Sequence, residues 1–504
     1  MKIFAKFKKV IIFTLVFVGV ACAEKWDETF PAVFNLENLN GKNGFVINGI
    51  KTGNQSGFAI SGVGDINGDG IDDIIIGAYA ANRGTGQSYV VFGSRKPWTT
   101  SINLVDLNGD NGFVIDGVLY INHDIGYSVS GVGDVNGDGI DDILIGSPGS
   151  NDGVTGQTYV IFGSKLKWPK ILNIKNLNGN NGFTINGFYL GQQSGKSVSG
   201  VGDVNGDGIN DVLIGCYDIN IVGQSYVIFG DQKGWPAVID LFNINGLNGF
   251  IINGVKQDLD ARPSVVAHAG DVNGDGIDDV LIGGPGANNQ IGQNYIVFGS
   301  KQQWPKTISL TSLNGTNGFT MNGINQGDDC GYSLNGIGDV NNDGIDDIII
   351  GAPFANNRIG QSYVVFGSRQ RWPKVIDFFS FNATRGFTIN GINEDDSSGM
   401  SVAGAGDVNN DGIDDILIGV PLAQNGAGQA CILFGTNRTW PAVINLSELD
   451  GFNGFTVNGI DWGDQIGRSL AGRVDINGDS VDDILIGAPY ADSYTGKIYV
   501  IFGE

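Results

Sequence analysis

GDINGDGIDDIIIGA, residues 64–78, is the stretch that decides the fold, because close copies of it recur along the whole chain. Successive copies lie 68 or 69 residues apart when they are counted from Asp65. So even a pitch indicates one structural unit used seven times, with each copy packed against its neighbours. The later copies begin at Asp134, Asp203, Asp271, Asp339, Asp407 and Asp475.

Each unit holds four short apolar runs bounded by Gly, Asn, Asp or Pro. In the second unit they are GFVIDGV (112–118), YSVSGVG (127–133), DILIG (142–146) and TYVIFG (158–163). Short runs rich in Val, Ile and Phe are typical of β-strands, and no run is long enough to favour a helix. An aromatic residue opens each unit, and we predict that it packs between neighbouring units: Phe30, Trp98, Trp168, Trp235, Trp304, Trp372 and Trp440.

Four strands in each of seven units leave two architectures open. A parallel β-solenoid has coils of shorter period than this repeat, whereas a propeller is built from four-stranded antiparallel blades around a channel. We therefore predict an all-β fold, a seven-bladed β-propeller of four-stranded antiparallel blades.

The N-terminal residues differ in composition from the repeats. Four lysines precede an apolar run at residues 10–20, and Ala21-Cys22-Ala23 offers small residues for cleavage. This layout predicts a secretory signal peptide over residues 1–23 rather than a membrane anchor, because the apolar run is too short to cross a bilayer. A lipoprotein signal using Cys22 is a weaker alternative. We expect a short segment at 24–29, one propeller over 30–504, and a secreted, extracellular or cell-surface protein that does not span the membrane.

The chain is strongly acidic, with a formal net charge of −24, and about half of its 53 acidic residues lie in the seven repeated loops. This charge excludes nucleic acid and anionic membrane surfaces as natural partners. Beyond the signal peptide only Cys216, Cys330 and Cys431 remain. Their number and spacing fit neither a disulfide framework nor a zinc site, so we predict buried thiols.

The acidic loops carry oxygen ligands at alternating positions, which the first copy shows as Asp65, Asn67, Asp69, Ile71 and Asp73. Side-chain oxygens stand at positions 1, 3, 5 and 9, and the residue at position 7 offers its backbone carbonyl. An all-oxygen set with three carboxylates suits Ca²⁺ better than a softer metal. Glycines at positions 4 and 6 permit the positive φ angles that a tightly curled loop requires. We therefore predict up to seven bound Ca²⁺ ions.

Two other structures have similar acidic loops. An EF-hand is excluded, because Ile76 stands where that motif has a bidentate Glu and because strands flank the loop. A metal-free turn is disfavoured by seven copies with one ligand order. The seventh loop deviates at Ser480 but keeps its ligands, and Asn210 of the third loop stands at position 8, which we predict not to ligate. The predicted ligands are Asp65, Asn67, Asp69, Ile71, Asp73, Asp134, Asn136, Asp138, Ile140, Asp142, Asp203, Asn205, Asp207, Ile209, Asp211, Asp271, Asn273, Asp275, Ile277, Asp279, Asp339, Asn341, Asp343, Ile345, Asp347, Asp407, Asn409, Asp411, Ile413, Asp415, Asp475, Asn477, Asp479, Val481 and Asp483.

The motifs Gly331-Tyr332-Ser333-Leu334, the loop at 339–347, and Gly351-Ala352-Pro353 together resemble the FG-GAP repeat. That repeat builds the seven-bladed head of integrin α subunits and of related exported bacterial proteins. The resemblance implies that YSVSGVGDV is the innermost strand, that DDILIG and TYVIFG follow it, and that GFVIDGV is the outer strand of the preceding blade. Residues 44–50 would then complete the last blade beside residues 496–503 and close the ring, leaving no open edge.

Strands that alternate in direction place their loops on two faces. The metal loops share one face and are nearly uniform among the repeats, whereas the loops from outer to inner strands differ and can form a unique surface. We call the second face, with loops 51–57, 119–126, 188–195, 256–263, 325–331, 393–399 and 461–467, the variable face. Its acidic and aromatic residues are Asp124, Asp258, Asp260, Asp328, Asp329, Glu394, Asp395, Asp396, Asp461, Asp464, Tyr120, Tyr189 and Trp462.

These features predict a calcium-binding adhesion or recognition module with an extracellular protein or glycan ligand on the acidic variable face. Plain solvated loops are the alternative for that face. No integrin β partner is expected, because no inserted ligand-binding domain interrupts the repeats. The alternative function is an extracellular hydrolase of glycans or phosphoesters using paired carboxylates such as Asp328 and Asp329. With His123 and His268 as the only histidines, a binding module is preferred over an enzyme.

Overall fold

The computed structural model describes residues 30–117, 123–150, 155–217, 223–255, 265–381 and 383–504. Seven five-stranded sheets are arranged as blades, and their inner strands pack side by side in a closed ring. The seven-bladed all-β propeller predicted from the repeat is confirmed. The predicted signal peptide, the segment at 24–29, and Tyr120, Asp258 and Asp260 lie outside the described residues.

Within each blade, the first three strands come from one unit and run antiparallel to one another. The inner strands are Ala59–Gly64, Ser128–Gly133, Ser194–Gly200, Val265–Gly270, Ser333–Gly338, Ser401–Gly406 and Ser469–Ala471. The second strands are Asp73–Ala78, Asp142–Ser147, Val212–Cys216, Asp279–Gly284, Asp347–Ala352, Asp415–Val420 and Ile484–Ala488. The third strands are Gln87–Val91, Gln157–Ile161, Gln224–Ile228, Gln293–Val297, Gln361–Val365, Gln429–Leu433 and Lys497–Ile501.

The fourth strand of each blade comes from the next unit, which confirms the predicted strand order. In blade order these strands are Gly112–Asp116, Gly182–Asn186, Gly249–Asn253, Gly318–Asn322, Gly386–Asn390, Gly454–Asn458 and Gly44–Asn48. Each blade also has a fifth strand, which pairs in parallel with the fourth; the prediction of four strands was incomplete. The fifth strands are Ile171–Asn173, Val238–Asp240, Thr307–Ser309, Val375–Asp377, Val443–Asn445, Val33–Asn35 and Ser101–Asn103. Three residues are too few to give a periodicity signal.

In the part of the chain that the structure describes, helical structure is limited to single turns, as an all-β fold requires. A 3₁₀ turn follows each fifth strand: Leu36–Asn38, Leu104–Asp106, Ile174–Asn176, Leu241–Asn243, Leu310–Ser312, Phe378–Ser380 and Leu446–Glu448. Four-residue turns join some second and third strands: Ala81–Gly84, Ala287–Gln290, Ala355–Arg358, Ala423–Gly426 and Ala491–Tyr494. Among the described residues no helix has the length and apolar character of a membrane-spanning segment.

The ring closes through its two ends, as the resemblance to the FG-GAP propeller implied. Gly44–Asn48 pairs antiparallel with Lys497–Ile501 in blade 7, and Val33–Asn35 adds the parallel fifth strand to blade 6. The N-terminal unit therefore supplies strands to the last two blades. Closure of this kind replaces exposed backbone donors and acceptors by hydrogen bonds within the sheets.

Aromatic stacking joins neighbouring units at the outer part of each blade. The Trp98 ring lies flat on the Phe45 ring of the fourth strand, with centroids 4.2 Å apart and planes 7° apart. Five further Trp–Phe pairs and the Phe30–Phe455 pair repeat this arrangement. The opening aromatic residue of each unit thus packs between units, as predicted. The cysteines Cys216, Cys330 and Cys431 are buried, which also agrees with the sequence.

Candidate calcium loops and ligand-binding face

Each acidic loop connects the inner strand of a blade to its second strand, and its carboxylates organise the turn. In the first loop the two Asp65 carboxylate oxygens accept hydrogen bonds from the Asp69 N–H (2.9 Å) and the Gly70 N–H (2.7 Å). The Asp69 carboxylate accepts one from the Ile71 N–H at 3.1 Å. Hydrogen bonds to its own acidic side chains thus hold the loop in its curled conformation.

The carboxylate at position 9 is buried at the base of the loop. Asp73 accepts hydrogen bonds from the Ile66 N–H (3.2 Å) and the Gly93 N–H (2.8 Å), and its side chain has no solvent exposure. Burial, together with the negative charges of Asp69 and Asp65, raises its pKa well above the usual value. Burial likewise raises the pKa of Asp142 to about 8. A bound cation would stabilise the ionised form of a carboxylate that is buried next to two others.

The backbone of the loops has the left-handed residues that the sequence predicted. Gly68 and Gly70 have φ angles of 73° and 82°, and the asparagines that replace position 4, Asn342 and Asn410, have φ angles of 58° and 54°. Ser480 holds the same conformation at 74°. The deviating seventh loop therefore keeps the backbone course of the other six.

The chemistry of the donor set fits a hard cation. Among the described residues, no three His, Cys, Asp or Glu side chains already converge as a metal cluster. The loop carboxylates accept backbone N–H groups instead, but each carboxylate oxygen has a second lone pair to offer. The residues that would hold Ca²⁺ are the five ligand positions of each loop, and the ion would supply the positive charge that the carboxylates lack.

The first Asp of each Asp-Asp doublet, at position 8, connects neighbouring blades. The Asp141 carboxylate accepts a hydrogen bond from the Asp65 N–H of the preceding blade at 3.0 Å. We call the contact between two neighbouring blades a seam. Five further seams repeat this bond, including the one from the Asp475 N–H to Asp72 across the ring closure at 3.1 Å. The sequence identified position 8 only as non-ligating and did not predict this role. Its signal was the acidic residue in six of seven copies at a position without a ligand role.

Loss of one such seam bond is expected to destabilise the propeller measurably. Asp141→Ala leaves the Asp65 N–H without its charged acceptor, so we expect a loss of about 1–2 kcal/mol in the free energy of unfolding. Asp110→Ala is the matched control, because it removes only an exposed ion pair with Lys167 and should cost less than about 0.5 kcal/mol. Denaturant unfolding of both variants makes the comparison, and equal midpoints would contradict the role of position 8.

The central channel is a cavity of about 430 Å³ lined by the inner strands. Two basic residues, His268 and Arg473, line this channel, and His268 stands where the second blade has Gly131. Each pairs with a position 8 carboxylate: His268 Nε2 lies 3.0 Å from Asp278 Oδ1, and Arg473 Nη2 lies 3.2 Å from Asp414 Oδ1. Burial opposes ionisation of Asp278, but the hydrogen bond and charge of His268 outweigh it and lower the pKa of Asp278. Both basic residues therefore balance charge at the seams.

Three aspartates of the variable face are buried, which corrects their predicted exposure to a ligand. Asp328, Asp396 and Asp464 are only 5–7% exposed. The Asp328 carboxylate accepts a hydrogen bond from the Asn325 N–H at 3.1 Å, and the Asp396 carboxylate accepts one from the Asn393 side-chain amide at 2.9 Å. Sequence alone did not distinguish these loop-holding carboxylates from exposed ones.

The remaining acidic residues of this face differ in exposure. Glu394, Asp395 and Asp461 are solvent-exposed, while Asp124 and Asp329 are partly buried. Burial, reinforced by the neighbouring Asp328, raises the pKa of Asp329 to about 6. Trp462 is the most exposed aromatic of the face at 81%. The acidic character of the face is thus weaker than the sequence suggested.

A cluster of aromatic rings lies where the inner strands of blades 1 and 2 begin, at the mouth of the channel on the variable face. The Phe58 ring is 4.5 Å from Tyr79 and 5.3 Å from Tyr127, and the two tyrosine rings are 5.5 Å apart. The Arg468 guanidinium lies 5.4 Å from the centre of Phe58. We call these four residues the mouth cluster. It was missed from the sequence, although aromatic residues recur after the Gly that precedes several inner strands.

Comparison with known proteins agrees with this architecture. The FG-GAP repeat family matches residues 57–91, 125–161, 264–297, 331–365, 398–433 and 466–501, which are the first three strands of six blades. The chain is therefore an FG-GAP repeat protein with a seven-bladed β-propeller fold. Blade 3, whose loop has Asn210 at position 8, is not among the six matches.

Relatives of two kinds are similar to the chain. It is 34% identical over 247 residues to "Integrin alpha pat-2" of Caenorhabditis elegans, covering 46% of this chain and 18% of that protein. It is 26% identical over 396 residues to "Phosphatidylinositol-glycan-specific phospholipase D" of Homo sapiens, covering 72% of this chain and 43% of that protein. The same phospholipase of Dictyostelium discoideum is 26% identical over 64% of this chain and 35% of its own length. The chain thus spans less than half the length of each of these relatives.

Proposed function

We propose that this protein is an extracellular recognition module whose ring is stabilised by Ca²⁺ and whose ligand binds on the variable face. The observation that carries the proposal is the mouth cluster, Phe58, Tyr79, Tyr127 and Arg468, on the face whose loops differ between blades. The opposite face repeats the same loop seven times, as a scaffold does. Similarity to integrin α chains supports the assignment of ligand binding to the propeller.

The mouth cluster has the properties of a binding surface. Its side chains are partly buried, so that they are held in place while a part of each ring faces solvent. Tyrosine and arginine are enriched among residues that dominate binding energy, because they combine large contact area with hydrogen-bond donors. A protein segment or a glycan is the class of ligand that such a surface suits.

Truncation of two tyrosine side chains of the mouth cluster tests this function. Purified protein is applied to immobilised panels of extracellular matrix proteins and of glycans, and Tyr79→Ala and Tyr127→Ala are compared with the wild type on each bound member. We expect each variant to lose roughly tenfold in affinity. Phe379→Ala is the control, because Phe379 is 86% exposed on a 3₁₀ turn of the outer rim. Equal binding by all variants would place the ligand elsewhere and refute the proposal.

A hydrolase remains the second candidate, and the phospholipase relatives favour it. The histidines give it little support from geometry. His123 is 8% exposed and lies 3.4 Å from Ser150 Oγ through its Nδ1, in a buried position, while His268 is engaged by Asp278 in the channel. Turnover of a glycan or phosphoester by the purified protein, abolished in Asp278→Asn or Asp329→Asn, would favour the hydrolase over the binding module.

A further inference from the structure

In five blades, one side chain near the start of the connection after the third strand lies against the acidic loop of the preceding blade. Arg95 is the clearest case: its Nε donates to the Gly478 carbonyl of blade 7 at 3.3 Å, and its Nη2 donates to the Gly70 carbonyl of blade 1 at 3.1 Å. The guanidinium therefore bridges two predicted calcium loops across the ring closure. We call the residue at this position of units 1 to 6 the clip residue.

Four further blades place their clip residue in the same way. A Cβ atom added at position 4 of the preceding loop would lie 2.2–2.6 Å from the clip side chain, so glycine is needed there for space as well as for its φ angle. The pairs are Gly68 with Lys165, Gly137 with Gln232, Gly206 with Lys301, and Gly274 with Arg369. Arg369 also donates to the Gly344 carbonyl of its own blade at 3.2 Å. The fifth loop has Asn342 instead of glycine, and the clip position of blade 6 is the shorter Asn437.

We infer that the clip residues set the Ca²⁺ affinity of the loops they separate; this inference rests on the proposed calcium binding. A cation held beside an acidic loop relieves repulsion among the carboxylates of the metal-free form. It also repels an incoming divalent ion, so both effects weaken binding. Packing against the loop glycine and the carbonyl hydrogen bonds hold the charge close, whereas an ordinary surface lysine can swing away.

The pattern of charges then divides the loops. The loops of blades 1 and 4 lie between two basic clip residues, Arg95 with Lys165 and Lys301 with Arg369. The loops of blades 2 and 3 share the neutral Gln232 on one side. We therefore infer the lowest affinities for the loops of blades 1 and 4, with blades 2 and 3 above them.

Charge exchange at the clip position tests the inference. Calorimetric titration with Ca²⁺ of metal-free protein is compared among the wild type, Arg369→Gln and Gln232→Lys. Glutamine occurs naturally at this position, so Arg369→Gln keeps the packing on Gly274; circular dichroism checks the fold of each variant. We expect two sites to tighten about tenfold in Arg369→Gln and two to weaken about tenfold in Gln232→Lys, since a unit positive charge held this close to a loop repels the divalent ion.

Arg371→Gln is the matched control, since it removes the same charge from an exposed residue two positions further on and should leave the isotherm unchanged. Isotherms of both clip variants that match this control would overturn the inference while calcium binding stands. A wild-type protein that binds no Ca²⁺ would instead overturn the proposed calcium binding itself, and the inference with it.

Discussion

Removal of Ca²⁺ is expected to lower the melting temperature strongly, by on the order of 20 °C, and addition of Ca²⁺ is expected to restore it. A ligand at about 100 times its Kd stabilises by about 2.7 kcal/mol per site, and we propose up to seven sites. The physical reason is the crowding of carboxylates: Asp73 is fully buried next to Asp69 and Asp65. Differential scanning calorimetry with and without a chelator measures the effect.

The Asp-Asp doublet of the first loop supplies a matched control. Asp73→Asn removes a predicted ligand, so calorimetric titration should find one Ca²⁺ ion fewer than in the wild type. Asp72→Asn changes the adjacent residue, which accepts the Asp475 N–H across the closure at 3.1 Å, and it should leave the number of sites unchanged. A titration that detects no Ca²⁺ binding in the wild type would contradict the calcium assignment for all loops.

Deletion of residues 30–50 is expected to abolish cooperative unfolding of the propeller. The deletion removes Val33–Asn35 from blade 6 and Gly44–Asn48 from blade 7, so the backbone of Lys497–Ile501 loses its outer antiparallel partner. Lys497–Ile501 then keeps only its inner antiparallel partner, Ile484–Ala488. The deletion also removes Phe45 and Phe30, which stack on Trp98 and Phe455. A ring opened at one seam exposes a sheet edge and apolar surface, which favours association with other chains. Calorimetry and size-exclusion chromatography record both consequences.

A point variant distinguishes the effect of losing ring closure from the effect of losing one buried side chain. Phe45→Ala keeps every strand but empties a fully buried position, and we expect a loss of about 3–5 kcal/mol with unfolding still cooperative. The protein that lacks residues 30–50 should therefore be less stable than this variant and should unfold less cooperatively. If the deletion left the melting curve unchanged, closure by the N-terminal strand would not contribute to stability.

Much of the fold could be predicted from the sequence because the sequence repeats one structural unit seven times. The pitch of 68 or 69 residues, four apolar runs per unit and an aromatic residue at each opening were sufficient to predict the blades, whereas the strand order and the ring closure followed from the resemblance to the FG-GAP repeat. The fifth strands were missed because each has three residues and pairs with a strand of another unit, and such a pairing leaves no local pattern.

The candidate sites divide in the same way. Ligand positions in the loops depend on spacing along the chain, so they could be proposed from residues such as Asp65 and Asp73. The mouth cluster could not, because Phe58 and Tyr127 belong to different blades and meet only in the ring. The solvent exposure of single side chains could not be predicted either. Asp395 and Asp396 are neighbours in sequence, yet Asp395 is exposed and Asp396 is buried.

The sequence by itself determined the repeat, the strand type and the oxygen-rich loops, since each of these depends on residues within one unit. Only the tertiary structure decided what happens between units. It assigned position 8 aspartates such as Asp141 to the seams, placed clip residues such as Arg95 between two loops, and buried Asp328, Asp396 and Asp464. The physical reason is that these contacts join residues of different blades or depend on burial. A repeating sequence specifies the structure of each blade, but it does not show which residues of the neighbouring blade that blade contacts.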